Sequence, residues 1–155
     1  MEINAFQVPF KKMHKDAIIP TFGKSVIDAG MDLYAVHCYT IPCGESAIID
    51  TGIAWDGMAL MTQYEKPVLI VKSRSGLAFN YEVEASNAGV IDAPFRGSLK
   101  VRLYNNSKTP YHVSKGDRIA QAILYYIPLC VPVEIEEFST PETSRGENGF
   151  GSSGK

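Results

Sequence analysis

The 155-residue chain holds no run of about 18 consecutive apolar residues, the length a helix needs to cross a bilayer. Its N-terminus shows neither a short apolar core nor an Arg-rich amphipathic presequence. No helical membrane span is expected, and a cytoplasmic location is. Cysteine is scarce and odd in number. Cys38, Cys43 and Cys130 form no CxxC and pair with no histidine at the spacing of structural zinc. Free thiols and a reducing compartment follow. His37, Cys38 and Cys43 could make at most a partial metal site and are read as buried strand residues. A surplus of one charge is also missing: 15 Lys and Arg against 17 Asp and Glu leave a net charge of -2. A chain so balanced has no field for wrapping nucleic acid, so any polyanion it holds is small and gripped by local groups.

At 45% hydrophobic and 21% charged, the chain has the composition of one ordinary globular domain with a core of its own. Its apolar segments are short and interrupted every eight to twelve residues or so by Gly, Pro, Asn or Asp, the spacing of an all-β sandwich or barrel. Leu99, Val101 and Leu103 alternate with Lys100, Arg102 and Tyr104, as in a half-buried strand. Residues 47–53, 67–72, 119–126 and 131–135 are also predicted strands. Only 75–79, poor in β-branched residues, predicts a short helix. The domain is expected over 1–140, with Pro141 opening a linker to a tail over 141–155.

That tail carries Arg145, Phe150, four glycines, Ser152 and Ser153, with no apolar pattern that could fold alone. Such a composition suits an unstructured terminus. It equally suits an arm that closes over a nucleotide triphosphate, with glycines for close approach, serines and an arginine for phosphate oxygens, and a ring for a flat base. The literal match of residues 149–155 to the Walker pattern lacks the strand before it and the helix after it that a phosphate-binding loop requires. Four more segments are polar or glycine-rich where a β protein would spend apolar residues. They are Ala29-Gly-Met-Asp-Leu-Tyr-Ala35, Ser73-Arg-Ser-Gly-Leu-Ala78, Gly89-Val-Ile-Asp-Ala-Pro-Phe-Arg-Gly97 and Lys115-Gly-Asp-Arg-Ile-Ala-Gln121. Taken singly, each is satisfied by a turn or a solvated charge.

In order and at this spacing, the five segments resemble the signatures of the trimeric dUTPase family, from about Phe10 through Gly154. The resemblance implies an all-β, jelly-roll-like barrel or sandwich with one short helix and a flexible C-terminal arm, assembled as a homotrimer whose three sites are shared between subunits. It implies Mg²⁺-assisted hydrolysis of dUTP to dUMP and pyrophosphate by water attacking the α-phosphorus. Asp92 matches the residue that activates the water, and Asp32 the carboxylate that meets the hydrated ion without ligating it directly. Arg74, Ser75, Gly76 and Gln121 match phosphate contacts. From the arm, Arg145 matches a γ-phosphate contact and Gly151, Ser152 and Ser153 phosphate contacts. Asn87, Gly89 and Val90 match a uracil-reading hairpin, Phe95 the ring under deoxyribose and Phe150 the ring that stacks on uracil.

Three departures stand out. Phe95 replaces a usual tyrosine, so the ring that clashes with a 2′-hydroxyl is kept while the phenol is lost. Ser86 stands where asparagine is frequent, with Asn87 one place on, and Ser73 replaces a common proline. Neither related activity fits as well. A dCTP deaminase would carry a different arginine segment and a glutamate. A regulatory nucleotide-binding member would need an insertion for which 105–115 has no room.

Overall fold

The computed structural model describes residues 5–140, 143, 144 and 146. Among these described residues, twelve strands and one α-helix follow in chain order. They are β1 Phe10–Lys12, β2 Thr21–Phe22, β3 Met31–Tyr34, β4 Tyr39–Ile41, β5 Ser46–Asp50, β6 Ile53–Trp55, β7 Glu65–Lys72, α1 Ser75–Tyr81, β8 Val83–Ala85, β9 Val90–Asp92, β10 Lys100–Asn105, β11 Tyr111–Val113 and β12 Arg118–Pro128. A 3-10 turn, Gly57–Leu60, precedes β7. The strands form a five-stranded sheet in the order β2-β3-β12-β7-β9, a three-stranded sheet β5-β10-β8, and the pairs β1-β6 and β11-β4. The chain is mostly β, and among the described residues the pairings do not close into a barrel. No described helix is long and apolar enough to cross a membrane.

Alternation governs β10 as its sequence predicts. Val101 and Leu103 are buried, Lys100, Arg102 and Tyr104 face out, and Leu99 is buried just before the strand. Strands β7 and β12 extend the predicted segments at their ends and pair antiparallel from Glu65↔Pro128 to Lys72↔Gln121. Pro67 is tolerated within β7 because β9 pairs only with Val68 to Ile70, so Pro67 lies where β7 has become an edge. The core joins Leu33, Ile41, Ile49, Ile53, Trp55, Leu69, Leu103 and Ile119. Buried Asn105 closes the following loop, its amide donating to the carbonyls of Ile41 and Thr109 at 3.0 and 2.8 Å while its oxygen accepts from the Ser107 hydroxyl at 2.7 Å.

Three expectations need correction. Residues 47–53 are not one strand: the chain breaks at Thr51-Gly52, where Gly52 takes φ +66° and a Cβ would lie 2.9 Å from the Cβ of His14. The Ile-rich stretch therefore serves two sheets, β5 with β10 and β6 with β1. Residues 131–135 are not a strand either. Val131, Val133 and Ile135 are exposed and pair with nothing among the described residues. The cysteines are free, as expected, but His37, Cys38 and Cys43 are exposed and lie outside the strands rather than buried in them. Cys38 and Cys43 flank β4 in the connections on either side of it. The His37 ring packs edge-on to His14, with 5.0 Å between centroids.

Asp50 secures the turn after β5, accepting from the Gly52 N–H at 2.8 Å and from the Ser98 hydroxyl. Burial pushes this carboxyl up, but the bonds from Ser98 and Gly52, aided by Lys100, outweigh burial and hold it below its ordinary value. A depressed carboxyl adds stability above its unfolded pKa of about 4 and loses it as pH falls through the folded value. The urea midpoint of the wild-type chain is thus expected to drop more between pH 5 and 3 than that of Asp50→Asn. Equal drops would show that Asp50 does not carry this linkage.

Candidate active site

Residues directly opposite one another on neighbouring strands share a face. Thr21, Asp32, Gln121 and Lys72 form such a row across β2, β3, β12 and β7. Asp32 is 2% exposed, and a carboxylate so buried is stable only if paired. Two arginines pair it. Arg74 Nε donates to one oxygen at 3.0 Å, and a terminal nitrogen of Arg118 donates to the other at 3.2 Å. Arg74 is fixed a second time through its bond to the Arg118 carbonyl at 3.3 Å. Gly30 lets β3 approach: a Cβ there would stand 2.9 Å from the Cβ of Gln121 and 3.1 Å from its Oε1. Gly23, Lys24, Asp28 and Ala29 complete a cleft of about 360 Å³ with Gly30, Asp32, Arg74, Arg118 and Gln121.

Ser75 and Gly76 open α1 beside Arg74, both exposed. A Cβ on Gly76 would meet nothing within 4 Å, so packing within this chain does not demand glycine there. The helix ends at Glu82, whose φ of 55° is the left-handed cap that turns the chain into β8.

The segment matched to base reading spans two sheets rather than forming a hairpin of its own, since β8 pairs with β10 while β9 pairs with β7. Gly89 marks the crossing. Its carbonyl accepts from the Val71 N–H at 2.8 Å, and a Cβ would sit 2.5 Å from the Val71 carbonyl oxygen. Asn87 lines a polar cleft of about 450 Å³ with Ser73, Glu84, Ser86 and Tyr104, and Gly89 lines a neighbouring one with Ser86, Lys100 and Arg102.

Asp92 ends β9 opposite Val68, exposed, with its carbonyl accepting from the Phe95 N–H at 3.1 Å. The turn behind it is anchored by buried Ala93, whose carbonyl takes an Arg96 N–H at 3.0 Å, and by the Arg96–Asp56 ion pair at 2.9 Å. Phe95 is 45% exposed and lies against Gly97. Asp92 and Val90 line a fourth cleft of about 340 Å³, with Met58, Met61, Lys66 and Ile127 among its walls.

Within one chain, then, the structure gathers Asp32, Arg74 and Gln121, with Ser75 and Gly76 next to them, but not Asp92. Val68 and Lys72, which face Asp92 and Gln121 across β7, are four residues apart, or about 13 Å along a strand. Arg145, Phe150, Gly151, Ser152 and Ser153 lie outside the described residues. Arg118 and Lys24 are site-lining cations that the sequence reading did not single out. The one available signal was Arg118's place inside a matched segment.

No described group of three or more His, Cys, Asp or Glu could cage a metal. One buried carboxylate, Asp32, with Asp28 in the same cleft and the cations Lys24, Arg74 and Arg118 around them, does fit Mg²⁺ brought in on a phosphate chain, an ion that keeps most of its waters.

A dUTPase family model matches residues 15–154. The chain belongs to the dUTPase family. It is 41% identical over 150 residues to the deoxyuridine 5′-triphosphate nucleotidohydrolase of Clostridioides difficile, covering 96% of this chain and 99% of the relative. It is 38% identical over 160 residues to that of Wolbachia pipientis, covering 100% of both. Among solved structures, the dUTPase of Staphylococcus bacteriophage 80alpha with dUpNHpp superposes with a TM-score of 0.80 at 26% identity, over 97% of this chain and 100% of that one.

The two matched glycines are expected to separate on substitution. Gly89→Ala forces a Cβ onto backbone and should lower unfolding free energy by about 1–3 kcal/mol. Gly76→Ala, in open space on a helix, should leave it unchanged or slightly raised. Urea denaturation of both variants checks this, and equal effects would contradict the geometry.

Proposed function

We propose that this chain hydrolyses dUTP to dUMP and pyrophosphate, as a cytoplasmic homotrimer of jelly-roll-like protomers with three sites shared between subunits. The observation that carries the reading is the geometry of the matched segments: Asp32, Arg74 and Gln121 line one cleft, Ser75 and Gly76 follow Arg74 directly in the chain, and Asp92 is presented on a braced edge strand.

Arg74, Ser75, Gly76 and Gln121 hold the phosphate chain, with Arg74 already oriented by Asp32. Asp92 accepts the proton of a water whose oxygen attacks the α-phosphorus. The bond from that phosphorus to the bridging oxygen breaks, and pyrophosphate leaves with the electron pair. A base held in this way contributes on the order of 10² to 10⁴ in rate. Mg²⁺, when bound with the phosphates and met by Asp32 through water, supplies neutralisation of their charge. Gly89, Val90 and Asn87 read uracil, and the close packing of Gly89 on Val71 leaves little slack for a thymine methyl. Phe95 lies under deoxyribose. Arg145, Phe150, Gly151, Ser152 and Ser153 close over the nucleotide, as the family resemblance implies.

The trimer is supported by what separates the two halves of the site. On the face of the large sheet that carries Gln121 and Asp92, the positions between them are Ile70, Ile123, Val90, Tyr125 and the buried Val68, with Ile127 just beyond Asp92. Val90, Tyr125 and Ile127 are 62%, 47% and 40% exposed. Such an apolar sheet face is suited to burial against further copies. A rotation axis there would bring one subunit's Asp92 toward the next subunit's Arg74 and Gln121.

Pyrophosphate release with Mg²⁺ from dUTP, dTTP, dCTP and UTP tests the function. Release is expected from dUTP alone, with kcat falling at least about 10²-fold in Asp92→Asn. Ammonia release from dCTP, or no turnover of dUTP, would overturn the reading.

A further inference from the structure

Resting on that reading, we propose that Arg118 is a second phosphate-binding arginine, held ready by Asp32 for the pyrophosphate portion of the substrate. Three observations carry this. Arg118 lines the same cleft as Arg74 and Gln121. Its side chain is 48% exposed, against 21% for Arg74, and only one of its nitrogens donates to Asp32. Of the five N–H donors of a guanidinium, the others have no protein acceptor among the described residues. The cleft is also unbalanced in charge, with Lys24, Arg74 and Arg118 set against Asp28 and Asp32.

The two arginines are not equivalent. Arg74 is tied both to Asp32 and to the Arg118 carbonyl, which leaves it rigid. Arg118 follows an exposed turn and sits where the β12–β3 register shifts, between Arg118 and Ala120, so its backbone is not locked in a regular ladder. Asp28 forms no ion pair with it among the described residues, and one oxygen of that carboxylate accepts from the backbone N–H groups of Lys24 and Ser25 at 2.9 and 3.3 Å and so shapes its own loop. A planar guanidinium anchored at one end and open at the other is suited to bidentate capture of phosphate oxygens.

A phosphate-chain role and a purely structural role differ in which ligand they affect. Wild type, Arg118→Gln and Arg118→Lys are compared for inhibition of dUTP hydrolysis by inorganic pyrophosphate and for dUMP binding by calorimetry. In Arg118→Gln, pyrophosphate inhibition should weaken by about tenfold or more while dUMP binds within about twofold of wild type. Arg118→Lys, with the charge but not the fork, should fall between. Unchanged pyrophosphate inhibition, or equal weakening of both ligands, would overturn the inference. Should Arg118→Gln fail to fold, Arg118→Lys decides by the same comparison. Failure of the wild-type chain to hydrolyse dUTP would instead indict the functional reading, so the two failures are distinguishable.

Discussion

Both halves of the site hang on the antiparallel ladder between β7 and β12. At one end of that ladder Lys72 faces Gln121, and the chain leaves β7 directly into Arg74, Ser75 and Gly76. Toward the other end Val68 faces Tyr125 on one side and Asp92 on the other. Because side chains alternate along a strand, a slip of one residue in this register would turn Gln121 to the opposite face and move the apolar positions between the two halves. The core-facing residues that forbid the slip, Leu69, Val71 and Ala122, are all buried.

Asp32 is the electrostatic counterpart of that ladder. It joins β3, the start of β12 and the entry to α1 through two guanidinium groups. Burying one carboxylate among two cations costs solvation, and removing one partner of such a buried pair typically costs about 3–5 kcal/mol. An apolar residue at this position could pack as well. The arrangement makes sense where a cleft must present positive charge in fixed directions, which is what a phosphate chain demands.

Much of the fold was legible where local pattern and tertiary pairing agree, as in the alternation of residues 99–104, the apolar runs of β7 and β12, and the short helix beginning at Ser75. It was not legible where pattern lacks a partner or hides a break. Val131, Val133 and Ile135 alternate as a strand should, yet no described strand pairs with them. Ile48, Ile49 and Ile53 read as continuous although Gly52 redirects the chain to another sheet. In the site, the matched segments pointed to Asp32, Arg74 and Asp92. Burial of Asp32 and its sharing by Arg118 were not visible, since they depend on residues 86 positions apart meeting through β12 and β3. Nor could spacing along the chain show that Asp92 stands apart from the cleft.

That separation makes the sharing of sites between subunits the central claim. It is tested most directly by co-expressing Asp92→Asn with Arg74→Gln, in which Asp32 keeps Arg118. Each variant alone should be inactive. In a mixed trimer one site joins an intact half from each chain, so dUTP hydrolysis should return to about one third of the wild-type rate per trimer. Activity no greater than the sum of the separate variants, in trimers shown to be mixed, would place all these groups in sites built within single chains and contradict the account.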